Sequence, residues 1–408
     1  MYIDPMIDRK AARFRLYPTP EQAVQMAQIG GACRFVYNLA LEQRRDFYRP
    51  GRKIDFASRC RELTLLRAET DWLKAAPVHT LQQALRDLDR AYRNWWAGRA
   101  KAPTPRKKGI NDSFRFPDPV SLAVERTGKS SGRIKLPKLG WVRLREHDWR
   151  PLPGTICNVT VTRRARQWFA AVQCEREMAE PAPSALPRVG IDPGVVVFAA
   201  LSDGTHIEPA NYGKKALHSL RKAQRDLSRK KRGSSNRRKA IRRVARIQMR
   251  VANARKDFLH KRSTEIAKNQ GTVVVEALDV KNMSASAKGT AAAPGKRVRQ
   301  KAGLNRSILD QGWGMFRIML GYKLADRSGR LIEVPAAYSS QTCSGCDLVD
   351  PASRRDQSLF ICVRCGLKIN ADTNAAINVV RRADCALKPV EGHRAERPDE
   401  AGTIQRAA

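Results

Sequence analysis

Polar and apolar positions alternate in Lys-Ala-Ala-Arg-Phe-Arg-Leu-Tyr, residues 10 to 17, the period of two that a half-buried strand requires. Pro18-Thr19-Pro20-Glu21 ends the alternation, with Thr19 suited to a helix N-cap and Pro20 to the first helical position. From there to about Ala102 the period becomes helical. Ala32, Phe35, Val36 and Leu39 share one apolar stripe, and Leu81, Leu85, Leu88, Ala91, Tyr92, Trp95 and Trp96 share another, so both are expected to pack. Lys101 to Gly109 is a Pro/Lys/Arg connector. Between 110 and 178 alternation returns in Arg133-Ile-Lys-Leu-Pro, Trp141-Val-Arg-Leu, Ile156-Cys-Asn-Val-Thr-Val-Thr and Trp168-Phe-Ala-Ala-Val-Gln-Cys. That pattern predicts a small barrel or sandwich. The Pro-rich segment Glu180 to Pro187 marks a boundary.

The second half reads differently. Val189-Gly-Ile-Asp192 predicts a strand, Pro193-Gly194 a turn, Val195 to Leu201 a second strand and Ser202-Asp203-Gly204 another turn. Lys214 to Lys256 is helical with a break near Gly233-Ser234-Ser235, and a further helix runs through Phe258 and Ile266. Thr272-Val-Val-Val-Glu276 has the continuous apolar run of a buried strand. Ser284 to Leu304, rich in Ala, Gly, Ser, Lys and Arg, predicts a mobile loop that could serve as a lid. Ser307 to Leu324 is again helical, and no repeat of 20 to 50 residues is present.

Charge narrows the function. The 408 residues carry 78 Lys and Arg against 39 Asp and Glu, a formal +39. An excess of this size favours a polyanion, because each phosphate neutralised releases a counterion. It is concentrated in one helical stretch, where Arg221, Arg225, Arg229, Lys230, Lys231 and Arg232 have almost no acidic partners; these are expected to contact phosphate. No apolar run approaches the span of a membrane, and Met1 to Lys10 has no signal-peptide core. A cytoplasmic protein with reduced thiols is therefore expected. Cys33, Cys60, Cys157, Cys174 and Cys385 then read as small buried hydrophobes.

Four cysteines stand apart. Cys343-Ser-Gly-Cys346 and Cys362-Val-Arg-Cys365 supply four thiolates at zinc-ribbon spacing, a closed tetrahedral set for a structural Zn²⁺. Seven residues after Cys365, Asp372 opens an Ala-rich helix. Asp192 and Glu276 each end an apolar strand that would lie centrally in a mixed sheet. Three carboxylates delivered to one sheet edge would hold two Mg²⁺ ions for phosphodiester hydrolysis. Singly, each has a plainer role: turn former for Asp192, surface charge for Glu276, helix N-cap for Asp372.

Gly-Ile-Asp192-Pro-Gly, Val-Val-Glu276-Ala-Leu-Asp-Val-Lys-Asn-Met and Asp372-x-Asn-Ala-Ala resemble the three RuvC-type motifs of TnpB, an insertion-sequence-encoded family related to type V CRISPR effectors. Phe-Arg-Leu-Tyr-Pro-Thr near the start, Cys-Arg-Phe-Val-Tyr-Asn at 33–38, Leu-Pro-Lys-Leu-Gly at 136–140, Asp257-Phe-Leu-His-Lys, Asn305-Arg-Ser-Ile-Leu-Asp-Gln-Gly-Trp313 and Ser340-Gln341-Thr342 before the first Cys extend the resemblance to about residue 385. It implies an α+β multidomain fold. A wedge-like β-barrel (1–20 and 104–185) would be interrupted by a helical recognition domain (21–103). An RNase H-like (RuvC) α/β nuclease (186–341 and 369–388) would carry the inserted zinc ribbon (342–368), ahead of a disordered tail (389–408). The implied activity is RNA-guided endonuclease cleavage of double-stranded DNA beside a short adjacent motif, in the cytoplasm of a prokaryote bearing the insertion sequence. Guide RNA and target DNA would be the partners, with no membrane and no small-molecule substrate. Asp192, Glu276 and Asp372 would be catalytic, and the region of Phe56, His79 and Gln82 would read the adjacent motif, Gln82 being able to pair bidentately with adenine. A small CRISPR-associated effector shares most of these features. An RNA-guided regulator without cleavage fits the intact triad poorly, and the RuvC-like motif order and the lack of a Tyr or Ser recombinase constellation count against a strand-joining transposase.

Overall fold

The computed structural model describes residues 6–46, 55–110, 112–145, 151–165, 167–178, 184–290 and 293–387; the expected tail at 389–408 lies outside them. The chain divides into two compact units, Met1–Glu180 and Pro181–Ala408, at the start of the Pro-rich segment.

In the first unit β1 (Met6–Tyr17) is followed by α1 (Pro20–Asp46). Thr19 and Gln22 form a reciprocal cap at the junction: Gln22 N–H donates to Thr19 Oγ1 (3.2 Å) and Thr19 N–H to Gln22 Oε1 (3.1 Å). Then come α2 (Phe56–Glu69), α3 (Asp71–Ala75), α4 (Val78–Trp96), β2 (Ser113–Phe116), β3 (Ala123–Arg126), β4 (Ser131–Leu136), β5 (Gly140–Arg145), β6 (Thr155–Arg164) and β7 (Gln167–Met178). The strands form one antiparallel sheet in the order β2-β6-β7-β1-β5-β4-β3. All four helices enter between β1 and β2, so chain-distant β1 and β7 pair over eleven positions, Met6 opposite Met178 to Leu16 opposite Trp168. One apolar cluster joins sheet and helices, including Phe14, Met26, Leu81, Leu88, Val142 and Val172.

Parts of the expected stripes do not pack. Trp95 and Trp96 are exposed, and the Arg44 guanidinium lies 4.3 Å from the Tyr92 ring and 5.6 Å from that of Trp96. Phe35 is also exposed and meets Trp72 edge to face. Cys33 and Cys174 are buried as expected, whereas Cys60 and Cys157 are half-buried; the Cys385 side chain lies outside the description.

The second unit contains β8 (Arg188–Asp192), β9 (Ala199–Leu201), β10 (His206–Ile207), α5 (Tyr212–Ser228), α6 (Ser235–Asn269), β11 (Thr272–Glu276), α7 (Val280–Met283), α8 (Val298–Gln311), α9 (Trp313–Ala325), β12 (Arg330–Val334), β13 (Leu359–Ile361), β14 (Lys368–Asn370) and α10 (Ala371–Leu387). Five strands form a mixed sheet, β10-β9-β8-β11-β12. β8, β11 and β12 run parallel, while β9 and β10 turn back antiparallel. β13 and β14 are a separate hairpin. One face of the mixed sheet packs on α6, α8 and α9 through Val189, Ile191, Val273, Leu259, Ile308, Phe316 and Leu320. The other packs on α10 through Val274, Val379 and Ala383.

The expected loop from Ser284 to Leu304 is shorter than read, since α8 is helical from Val298. Lys301 Nζ donates to Met283 O (2.7 Å) and Asn305 Nδ2 to Ser284 O (2.9 Å), anchoring the helix onto the segment before it. Gly312, at φ +75°, supplies the left-handed residue that separates α8 from α9. Among the described residues no helix is long and apolar enough to cross a membrane.

Candidate active site

β8 and β11 lie in parallel register, with Val275 opposite Ile191. One residue further along each strand, Asp192 and Glu276 close the adjacent carboxyl ends at the middle of the sheet. The third carboxylate depends on α10 lying flat on β8, and Gly190 permits this. A Cβ at Gly190 would sit 2.1 Å from Ala376 O and 2.6 Å from Val380 Cγ2. Gly190→Ala is therefore expected to cost roughly 1–3 kcal/mol or more through overpacking, read as a lower melting temperature with weaker cleavage as Asp372 shifts. Gly321→Ala, where the nearest atom is Leu331 Cδ2 at 3.6 Å, should be tolerated; equal behaviour of the two variants would contradict this packing.

The plainer role for Asp372 is taken by another side chain. Asn370 Oδ1 accepts from the N–H groups of Asp372 (3.0 Å) and Thr373 (3.1 Å), so Asn370 caps α10. The Asp372 carboxylate is left to face the sheet edge. There it accepts from Arg354 Nη2 at 3.3 Å. Glu276, 8% exposed, accepts from the Ser339 hydroxyl. His206 Nε2 lies 3.0 Å from the hydroxyl of Thr373.

The other two carboxylates act on Asp192. Asp192 is pushed up to about 7, first by burial and then by the charges of Glu276 and Asp372, with Arg354 opposing. Glu276 is also raised by burial, against the Ser339 hydrogen bond and Arg382. Among the described residues, the group of His, Cys, Asp or Glu ligand atoms gathered closely enough to share a metal ion is the thiol cluster described below, whose ligand atoms all lie within 4.8 Å of one another, and the three carboxylates are not such a group. Like charges repel, and each carboxylate takes its own partner: Ser339 for Glu276, Arg354 for Asp372, burial with a raised proton affinity for Asp192. An all-oxygen set whose negative charge is under-compensated suits a hard divalent cation.

Cys343, Cys346, Cys362 and Cys365 form the tight cluster. Two Sγ pairs, Cys343–Cys365 and Cys346–Cys362, are each 3.6 Å apart. Tetrahedral Zn²⁺ with Zn–S bonds near 2.3 Å calls for sulfurs about 3.8 Å apart, so these side chains fit that ion. Cys362 is pulled down to about 6, first by the Cys365 backbone N–H. Cys365 is pushed up to about 12 against the favouring Leu367 N–H, by hydrogen bonding with Cys362, by burial and by hydrogen bonding with Cys346 and Cys343. A cation would equalise thiols that otherwise ionise stepwise.

The cysteine module grips α10. Asn374, fully buried, accepts from Ser344 N–H (2.9 Å) and donates to Thr342 O (2.8 Å). Asn378 Nδ2 donates to Ser339 O (2.9 Å) and Thr342 O (2.7 Å), and Arg381 Nη1 to Ser344 O (2.7 Å). The helix carrying Asp372 and the loop carrying Cys343 are thus one hydrogen-bonded body. Ser339, Arg354, Asn370 and Asn378 escaped the sequence reading. Isolated Ser, Arg and Asn carry no pattern, although Asn374 falls within the quoted Asp372-x-Asn motif.

The expected phosphate contacts are exposed. Arg221 and Arg225 lie on α5, and Arg229, Lys230, Lys231 and Arg232 fill the turn before α6. Phe56 and Gln82 sit in the first unit, on α2 and α4, both partly buried. Arg86, one turn beyond Gln82, places its guanidinium 4.7 Å from the Phe56 ring, so these two positions share a surface.

The chain is similar to several known proteins. The OrfB_IS605 family, described as "Probable transposase", matches residues 171–287, and a "Cas12f1-like, TNB domain" matches 313–379. A "Helix-turn-helix domain" matches 6–53, although residues 6–46 here form a strand and one helix. The protein "Putative RNA-guided DNA endonuclease InsQ" of Escherichia coli (strain K12) is 42% identical over 392 residues, spanning 95% of this chain and 96% of that one. A "Putative RNA-guided DNA endonuclease" of Streptomyces pristinaespiralis is 34% identical over 397 residues, 95% and 93% of the two chains. A chain in the cryo-EM structure of the Cas12f1-sgRNA-target DNA complex shares the fold at TM-score 0.55 and 12% identity, over 92% of this chain and 98% of that one.

Proposed function

This chain belongs to the IS605 OrfB family, the TnpB-type RNA-guided DNA endonucleases of insertion sequences, and within that family we propose that it cuts target DNA at Asp192, Glu276 and Asp372 with divalent cations. The chain is an RNA-guided DNA endonuclease whose partners are guide RNA and target DNA. The observation that supports the catalytic reading is that Asp192 and Glu276 end adjacent parallel strands and that the charges of Glu276 and Asp372, both far away in sequence, act on Asp192.

In this reading the second unit is the RuvC-type, RNase H-like nuclease, with residues 342–368 as its zinc ribbon. In the first unit the seven-stranded sheet serves as the wedge barrel and α1–α4 as the recognition domain around Phe56 and Gln82. The protein acts in the cytoplasm of its host cell. Zinc held by Cys343, Cys346, Cys362 and Cys365 is structural, since four thiolates leave no position open for water.

Bound Mg²⁺ would supply an activated water and charge stabilisation at the phosphorus. The chain's own groups prepare for this. Glu276 is buried and Asp192 half-buried at the strand ends, which limits solvent around both. The Ser339 hydroxyl fixes the orientation of the Glu276 carboxylate. Asn370 holds the first turn of α10 so that Asp372 faces the strands. Arg354 is the cation placed to meet a phosphate oxygen once it leaves Asp372. Sequence is read by pairing with the guide, while exposed Arg and Lys follow the phosphate backbone of the duplex.

The test is to purify the full chain, sequence the RNA that accompanies it, and offer the complex matched and mismatched duplexes. Mg²⁺-dependent cutting of the matched duplex alone is expected. Equal cutting of both, or cutting with no RNA bound, would reject the RNA-guided reading.

A further inference from the structure

Resting on the nucleic-acid reading above, we infer that the cavity between α1, α3 and the β4–β5 turn holds one unpaired nucleotide, its base against Trp72 and Phe35 and its phosphate toward Lys138 and Arg34. The cavity measures about 730 Å³, within the range of pockets that enclose small ligands. Two motifs distant in sequence converge on it. Cys-Arg-Phe-Val-Tyr-Asn at 33–38 contributes Arg34 and Phe35, and Leu-Pro-Lys-Leu-Gly at 136–140 contributes Lys138. The carboxylate site uses neither motif.

The chemistry is that of a nucleotide. Phe35 and Trp72 stand edge to face with centroids 5.2 Å apart, yet remain 41% and 53% exposed. A unit with a continuous apolar core has no packing need for two open aromatics at a cavity wall. Every base has a π face, so such a platform accepts any sequence. Among the described residues, Arg34 and Lys138 line the cavity and no Asp or Glu does, which suits an anion and disfavours a basic peptide.

The platform is built rigidly. Lys138, at φ +61°, donates to Lys74 O (2.9 Å) and Ala75 O (3.3 Å), the carbonyl end of the helix that carries Trp72. Gln22 Nε2 donates to Leu139 O and Trp141 O, each at 3.0 Å, tying α1 to the same turn. Asp112 holds one amino group of Arg34 at 2.8 Å. A further observation comes from two consecutive glycines inside α1, where glycine is disfavoured. At buried Gly30 a Cβ would make ordinary contact with Asp112 Cβ at 3.4 Å and Phe114 Cδ1 at 3.9 Å. Packing does not explain Gly31: a Cβ would find only Arg34 Nη2, at 3.6 Å, on the cavity wall. Close approach of a ligand accounts for it.

The probes are two 12-nucleotide oligomers, one RNA and one DNA, each bearing a single 5-iodouracil, photo-crosslinked to the full chain and mapped by peptide mass. Crosslinks to Trp72 or Phe35 are expected with at least one of them. RNA crosslinks would assign the site to the guide, DNA crosslinks to a target strand. Trp72→Ala should weaken that oligomer's binding about tenfold, Trp72→Phe should restore most of it, and both variants should keep the wild-type melting temperature. If an oligomer binds but crosslinks only elsewhere, this inference fails while the endonuclease reading stands. If neither oligomer binds, both fail.

Discussion

Asp192→Ala is expected to lower target cleavage by roughly 10³-fold or more, equivalent to about 4 kcal/mol of transition-state stabilisation, while guide and target binding stay within a few-fold of wild type. The reason is positional. Asp192 ends the central strand of the sheet, and its raised proton affinity comes from burial and from the charges of Glu276 and Asp372. Removing it leaves a site that cannot hold cations near the scissile phosphate. The exposed basic residues of α5 and the following turn, which carry the phosphate contacts in this account, are untouched. The check is a cleavage time course beside a gel-shift titration on the same preparation. Loss of binding in parallel with cutting would mean that the variant had misfolded or that Asp192 serves the structure.

Removing zinc should also have a large effect, at a distance. Zinc sites of this kind bind with apparent energies of about 10–16 kcal/mol that are also folding energy. Among the described residues, the apolar support of the cysteine module is a small cluster that includes Phe360 and Ala371. Chelation, or Cys362→Ser, is expected to unfold residues 342–368 and expose them to limited proteolysis. The hydrogen bonds that Asn374 accepts from Ser344 N–H and donates to Thr342 O, and that Asn378 donates to Thr342 O, would then be lost. Asp372 would lose its placement, and cleavage should fall at least about 10²-fold, as expected when a catalytic group shifts by an ångström. One zinc per wild-type chain by metal analysis, and none in the variant, completes the test. A Cys362→Ser protein that keeps its zinc and its protease resistance would contradict it.

What the sequence made legible follows the range of the interactions. The strand ends at Asp192 and Glu276 could be read because each closes a short apolar run, and two such runs pair well at the centre of a sheet. The thiol cluster could be read because four ligands at fixed spacing specify one geometry. The capping of α1 by Thr19 was legible for the same local reason. Long-range partners were not. Nothing in the sequence near Arg354 says that it reaches Asp372, and Asn370 takes the cap that Asp372 was equally suited to fill. Phe35, Trp95 and Trp96 matched a helical stripe, yet face outward, because periodicity records a face without saying whether protein or ligand covers it. The early start of α8 escaped because Ala, Gly, Lys and Arg are compatible with loop and helix alike, and its anchoring bonds to Met283 and Ser284 are tertiary.

The most direct measurement is Mn²⁺ binding to the full chain by calorimetry, between pH 5.5 and 8, for wild type and for Asp192→Asn, Glu276→Gln and Asp372→Asn. A carboxylate raised from 3.8 to about 7 in the folded protein contributes stability below its unfolded value that is lost as pH rises through about 7. Protons and metal then compete for the same oxygen. Wild-type affinity is expected to rise from pH 5.5 and level off above about 7, and each single substitution should weaken binding at pH 8 by at least about tenfold. Variants that bind Mn²⁺ as tightly as the wild type would contradict the claim that these three side chains share one cation site.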